Sequence, residues 1–187
     1  MTWNIPILLT WLRIALIPIF ALVLYLPESM LNLQLINWLA AVIFAIAGAT
    51  DWLDGYLARK WQQTSDFGAF LDPIADKLMV AVALILLVEL ERTSALYAIV
   101  IISREITISA LREWMAQMGK RGSVAVASIG KFKTAAQMVA IIMLLINDDD
   151  FIGLNLQFWG NALMLIASIL TIWSMFYYLK MAWKEFQ

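Results

Sequence analysis

The chain contains no histidine and no cysteine. Without cysteine it has no disulfide, no thiolate nucleophile and no cysteine-bound zinc. Without histidine, a serine triad, histidine-based phosphodiester chemistry and imidazole metal sites are all excluded. A general base must come from a shorter set of groups, with carboxylates first. Charge is sparse as well. Only 14% of the 187 residues are Asp, Glu, Lys or Arg, and the net charge of −1 gives no reason to expect a nucleic-acid partner. Hydrophobic residues make up 63%, where soluble domains run at roughly half. An all-α integral membrane protein fits this composition. Gly/Ser linkers, low-complexity tracts and internal repeats are missing too. Residues 1–187 are therefore expected to form one transmembrane domain. The opening MTWNIPILLT has no basic run ahead of its apolar stretch and is expected to be retained.

What is present is a succession of apolar segments. Six of them, at roughly 7–26, 36–60, 70–89, 95–118, 131–147 and 158–180, approach the ~20 residues that a helix needs to cross a bilayer. Pro18 falls inside the first and predicts a kink there. Loop charges orient the bundle. The loops joining spans one to two, three to four and five to six carry Glu28, Glu89, Glu91, Asp148, Asp149 and Asp150 against the single cation Arg92. The two opposite loops carry Arg59, Lys60, Lys120, Arg121, Lys131 and Lys133, and Lys180 and Lys184 follow near the end. Positive residues stay inside, so both termini are expected in the cytoplasm. Trp3, Trp61 and Trp183 are expected as anchors at the bilayer interface.

The densest chemistry lies between Asp51 and Asp76, in DWLDGYLARKWQQTSDFGAFLDPIAD. Asp51 and Asp54 are three apart, Asp72 and Asp76 four apart, and on helices both spacings share a face. A polar loop ending near Gly68 separates the pairs, so two helix ends bearing carboxylates are expected to meet at one level. Ordinary ion pairing explains them poorly. A carboxylate in the membrane costs ~2.5–3.5 kcal/mol on insertion scales, and Arg59 and Lys77 are too few to neutralise four. Hard oxygen ligands without imidazole or thiolate favour Mg²⁺ or Mn²⁺. Gly55 and Ala58 read equally as small residues for close helix packing or as room for a nucleotide against the helix. Asp66 lies outside the paired spacing and reads as solvated.

Depth places a second set of charges beside these. Counted from the outer ends at ~1.5 Å per residue, Asp51 and Asp76 lie ~22 and ~20 Å in, and Asp54 and Asp72 ~27 and ~26 Å in. Arg104 lies ~14 Å along the fourth span, too deep to face lipid. Arg112, eight residues on, is expected on roughly the same face. Lys131 and Lys133 open the fifth span, with Lys133 at ~21 Å, and Arg13 in the first reaches a similar depth. Arg104, Arg112, Lys131 and Lys133 are expected to bind anions. Lys60, Lys120 and Arg121 are expected to set topology, and Glu105 simply to pair with one of the cations. An acidic cluster beside a basic one suits a metal-bridged diphosphate and a second anionic group. Cation and proton transporters also carry intramembrane aspartates and arginines. They often show repeated halves and interrupted helices, and this chain shows neither.

Read as one pattern, Asp51-x-x-Asp54-Gly55-x-x-Ala58-Arg59, eight residues, then Gly68-x-x-x-Asp72-x-x-x-Asp76 resembles the CDP-alcohol phosphatidyltransferase signature at every position. Asn4-Ile5-Pro6 with Thr10 and Arg13, SREI at 103–106, LREWMA at 111–116 and Gly130-Lys131-x-Lys133-Thr134 are similar to members that use glycerol phosphate. Ile7 departs from the pattern, since many members carry Asn there. The resemblance implies a six-helix enzyme of the bacterial cytoplasmic (inner) membrane, usually a homodimer in membrane lipid, with its active site facing the cytoplasm and two divalent cations bound. It implies that Asp51, Asp54, Asp72 and Asp76 hold the metals and that Asp76 is the catalytic base. Gly55, Ala58 and Gly68 would make room for the cytidine nucleotide of CDP-diacylglycerol, and Arg59 would contact its diphosphate. Arg104, Arg112, Lys131 and Lys133 would surround the phosphate of sn-glycerol 3-phosphate. The implied reaction gives phosphatidylglycerol phosphate and CMP. Inositol phosphate, serine and phosphatidylglycerol stand as alternative acceptors, though a basic cluster disfavours serine, which brings no phosphate.

Overall fold

An apolar segment away from water must satisfy its backbone internally, and a helix does so within one segment. The computed structural model describes residues 5–61, 66–118 and 128–184. Among them are six helices: α1 (Ile5–Leu24), α2 (Leu33–Trp61), α3 (Asp66–Glu89), α4 (Ala95–Gln117), α5 (Ser128–Ile146) and α6 (Leu156–Lys184). No strand occurs among the described residues; a single bridge between Phe151 and Leu154 closes the α5–α6 turn. Every expected span is a helix. Most extend past their apolar stretch, so Gly68, expected at the end of a polar loop, belongs to the first turn of α3. An acidic residue such as Asp66 at the first position suits the positive end of a helix. α1 runs unbroken through Pro18, and α3 through Pro73. Among the described residues two helices are by themselves long and apolar enough to cross a membrane, α2 over Leu33–Thr50 and α6 over Leu156–Trp183.

Polar side chains gather the helices at one end. Tyr25, just past α1, donates to Glu89 at the end of α3 (2.6 Å). Arg92, in the α3–α4 turn, donates through Nη1 to the Leu145 carbonyl of α5 (2.8 Å) and through Nη2 to Asn37 Oδ1 of α2 (2.7 Å). Asn37 in turn donates to the Ile146 carbonyl. Thr93 donates to Asn161 of α6, whose amide donates back to the Arg92 carbonyl (both 2.9 Å). All six helices therefore present an end here, and successive helices run in opposite directions. The last turns of α2 and the first turns of α3 lie at the far end.

Small and large residues alternate in the core. Ala40, Ala41 and Ala47 of α2, Ala83 of α3 and Ala140 of α5 are buried beside Phe20, Phe44, Leu84, Leu87, Ile141 and Leu144. Small side chains let helix backbones approach closely. Gly160 does the same, because an added Cβ would meet Leu144 at 2.8 Å, and α6 could not lie so near α5. The outside is also apolar, with Leu22, Ile85, Leu96, Ile99, Phe158 and Trp173 exposed. So extensive an apolar exterior suits lipid rather than water. Trp183 is exposed near the end of α6, as an interface anchor would be, whereas Trp173 is exposed in mid-helix. The side chains of Trp3 and Trp61 lie outside the described residues.

Candidate functional site

The far end of the bundle carries the charges that the sequence singles out. Asp51, Asp54, Gly55, Ala58 and Arg59 belong to the C-terminal half of α2, and Gly68, Asp72 and Asp76 to the N-terminal half of α3. These helices are in contact, so their backbones carry both aspartate pairs toward the same end. The side chains of Asp51, Asp54, Gly55, Ala58, Arg59, Gly68, Asp72 and Lys131 lie outside the described residues. Asp76 is half-buried.

The basic residues divide into two groups. Arg104 is buried against α6: its Nη2 donates to Ser174 Oγ (3.1 Å), and its guanidinium lies over the Tyr178 ring at 5.7 Å. Ser174 is held by donating to the Thr171 carbonyl. Lys133 on α5 is 2% exposed and donates to Glu105 of α4 at 2.5 Å. Glu105 accepts from Arg104 as well, at 3.0 Å. Arg104, Glu105 and Lys133 thus form one triad, two buried cations on one partly buried acid. The expectation that Glu105 pairs with one cation understates its part.

Arg112 stands apart. It is exposed and lines a 420 Å³ cleft between α3 and α4 with Pro73, Lys77, Ser109 and Glu113. Eight residues at 100° leave an 80° offset, enough to turn Arg104 toward α6 and Arg112 toward α3. The expected common face therefore does not hold. Arg112 remains within electrostatic reach of Lys133 and Lys77.

Two participants, Ser174 and Tyr178, went unremarked in the sequence, and Lys77 was read there only as a counter-charge to the aspartates. Lys77, one residue past Asp76, lines the cleft and also a smaller, mostly apolar cavity bordered by Glu105. Ser174 and Tyr178 complete the Arg104 pocket. A signal for them exists, since Thr171, Ser174 and Tyr178 follow the i, i+3, i+7 spacing of one helix face in an otherwise apolar span. Arg13, at middle depth on α1, is also fully buried.

One end of the helical bundle therefore combines a four-aspartate motif on two touching helices with buried cations and a cleft that Lys77, Arg112 and Glu113 line. A match to the CDP-alcohol phosphatidyltransferase family model covers residues 3–173, and the chain belongs to that family. Its relatives narrow the class. A protein of Yersinia enterocolitica is 51% identical over 187 residues, covering 99% of this chain and 98% of its own. One of Haemophilus influenzae is 52% identical over 184 residues (97% and 95%), and one of Escherichia coli 50% identical over 187 (97% and 96%). All three are named CDP-diacylglycerol–glycerol-3-phosphate 3-phosphatidyltransferase.

Proposed function

We propose that this chain transfers the phosphatidyl group of CDP-diacylglycerol to sn-glycerol 3-phosphate, releasing CMP. The observation that carries this reading beyond family membership is the Arg104–Glu105–Lys133 triad, with both cations buried, at the end that holds the aspartate motif. Among the described residues two of these cations share one carboxylate, an excess of positive charge that favours an anionic second substrate. A phosphate monoester supplies that anion. Serine does not.

The donor set fits divalent metals. Four carboxylates on touching helices, in a chain without imidazole or thiolate, are hard oxygen ligands of the kind Mg²⁺ and Mn²⁺ take. Asp51, Asp54, Asp72 and Asp76 would hold two such ions, which when bound polarise the diphosphate and stabilise charge on the departing nucleotide. Gly55, Ala58 and Gly68 leave space for the nucleotide, and Arg59 meets the diphosphate. Arg104, Arg112, Lys131 and Lys133 orient the acceptor by its phosphate, so that its hydroxyl oxygen faces the phosphorus carrying diacylglycerol. Asp76 takes the hydroxyl proton as the new P–O bond forms. The bond to CMP breaks, and CMP leaves with the electron pair.

The exposed apolar exterior supports all six helices spanning a membrane, the asymmetry of loop charges supports both termini and the active site facing the cytoplasm, and family membership supports the bacterial inner membrane. Acyl chains of the donor then stay in lipid while its head group reaches the motif. Membership of the family supports the enzyme working as a homodimer. CMP release from CDP-diacylglycerol by the purified protein, with glycerol 3-phosphate, inositol phosphate, serine or phosphatidylglycerol supplied singly, tests the acceptor. Glycerol 3-phosphate is expected to be used far better than the others; equal or better use of another would overturn the reading.

A further inference from the structure

Among the described residues, Glu105 is the one carboxylate bonded to the buried cations. Both bonds end on the same oxygen, Oε1, which accepts from Lys133 Nζ and Arg104 Nη1. The two nitrogens are thereby held side by side. Their helices do not hold them, because among the described residues the α4 backbone contacts α3 and α6 but not α5. A lysine ammonium on a flexible four-carbon stem has no fixed place without such a partner. Arg104 is anchored independently by Ser174 and Tyr178, so the residue whose position depends on Glu105 is Lys133. Glu105 is also the most accessible of the three. Its side chain is 26% exposed, against 6% for Arg104 and 2% for Lys133. It borders a 130 Å³ cavity that Lys77 shares from α3, on the side where the aspartate motif lies.

We propose that Glu105 is a positioning residue of the acceptor site, resting on the function proposed above. Its carboxylate draws the Lys133 ammonium across from α5 to the anchored Arg104, so that the phosphate of the acceptor meets two cations already in place. It neutralises one of the two charges, which makes the pair tolerable in the interior without a ligand, and leaves the other for the phosphate.

The test is a double-mutant cycle read in KM with the purified enzyme. Acceptor and donor are each titrated for the parent, Glu105→Gln, Glu105→Asp, Lys133→Ala and the Glu105→Gln/Lys133→Ala double variant. Glu105→Gln keeps the shape but loses the charge, and is expected to raise the KM for glycerol 3-phosphate about tenfold with the donor KM unchanged. Glu105→Asp keeps the charge with a shorter reach and is expected to recover part of that loss. The double variant is expected to be no worse than Lys133→Ala, because a residue acting through another adds nothing once that other is gone. Additive effects, or a Glu105→Gln enzyme with the parent's acceptor KM, would overturn the proposal. Should Glu105→Gln fail to fold, Glu105→Asp in the same cycle decides, with a raised, non-additive acceptor KM in support and a parental or additive one against. The two readings fail differently. If Lys133→Ala leaves the acceptor KM unchanged, the acceptor site itself is misassigned; if Lys133→Ala raises it and neither Glu105 variant does, only the role of Glu105 falls.

Discussion

Removing the Arg92 guanidinium should loosen the end of the bundle opposite the aspartate motif. Arg92 is 6% exposed and joins three elements, because its fork reaches the last turn of α5 and Asn37 of α2 from the α3–α4 turn. Burial lowers its pKa from the ordinary arginine value, yet a guanidinium stays charged at any working pH. The terminal carbonyls of a helix have no partner within the helix, and a cation there is also attracted by the negative end of the helix dipole. Arg92→Ala breaks two short bonds from a charged donor, at 2.8 and 2.7 Å. Such bonds are worth about 1.5–3 kcal/mol each in soluble proteins, but side-chain contacts measured in membrane bundles average about 0.6 and reach about 1.7. Between those limits a loss of about 2–4 kcal/mol is expected. At about 2–4 °C per kcal/mol for a chain of this size, the melting temperature should fall by roughly 4–16 °C. Arg92→Lys should recover little, since an ammonium cannot span the carbonyl and Asn37 together. Tryptophan fluorescence during a thermal ramp in detergent reads the melt, and KM values well below the melt should stay at the parent's. A melting temperature within a degree of the parent's, or a raised acceptor KM in folded Arg92→Ala, would refute this division of labour between the two ends.

Asp51→Asn, Asp72→Asn and Asp76→Asn are each expected to abolish turnover while leaving metal-free stability unchanged or higher, because each removes like-charge repulsion; full activity in EDTA or in Asp76→Asn would rule out the metal-and-base scheme. Lys133→Ala and Arg112→Ala should raise the glycerol 3-phosphate KM about ten- to hundredfold, while Arg59→Ala should act on the CDP-diacylglycerol KM, and equal effects on both substrates in all three would reduce the basic set to a general field. Single cysteines placed in this cysteine-free chain at Ser65 or Gly122 should react only with reagent that reaches the cytoplasm, and those at Ser29 or Asp149 only from outside; outside labelling at Ser65 would invert the topology.

The helices were legible because each is a long apolar run bounded by charged or turn-forming residues, and no strand-like alternation competes with them. Their ends were less so. Gly68 reads as loop by composition, but helical backbone continues through it once α3 starts at Asp66. Arg104 and Lys133 are both buried. Arg104 was legible as an inward-facing residue from depth alone, since a cation that far from either end must be turned inward, and Lys133 from its level beside the aspartates. What joins them was not. Sequence spacing describes one helix at a time, whereas Glu105 acts between α4 and α5, and Ser174 and Tyr178 act from α6. Arg92 shows the same limit: it stood out as the one cation among the outer loops, with no hint that it seals α5 to α2. Arg112 shows the opposite error, where spacing suggested company for Arg104 that the neighbouring helices keep apart.

The most direct measurement follows labelled glycerol 3-phosphate into lipid. Purified protein with CDP-diacylglycerol, Mg²⁺ or Mn²⁺ and the labelled acceptor is expected to place label in the organic phase, one mole for each mole of CMP released. Parallel reactions with Asp76→Asn or with EDTA should give neither product. CMP release without label in lipid would mean hydrolysis rather than transfer, and label transfer undiminished in Asp76→Asn would contradict the site proposed here.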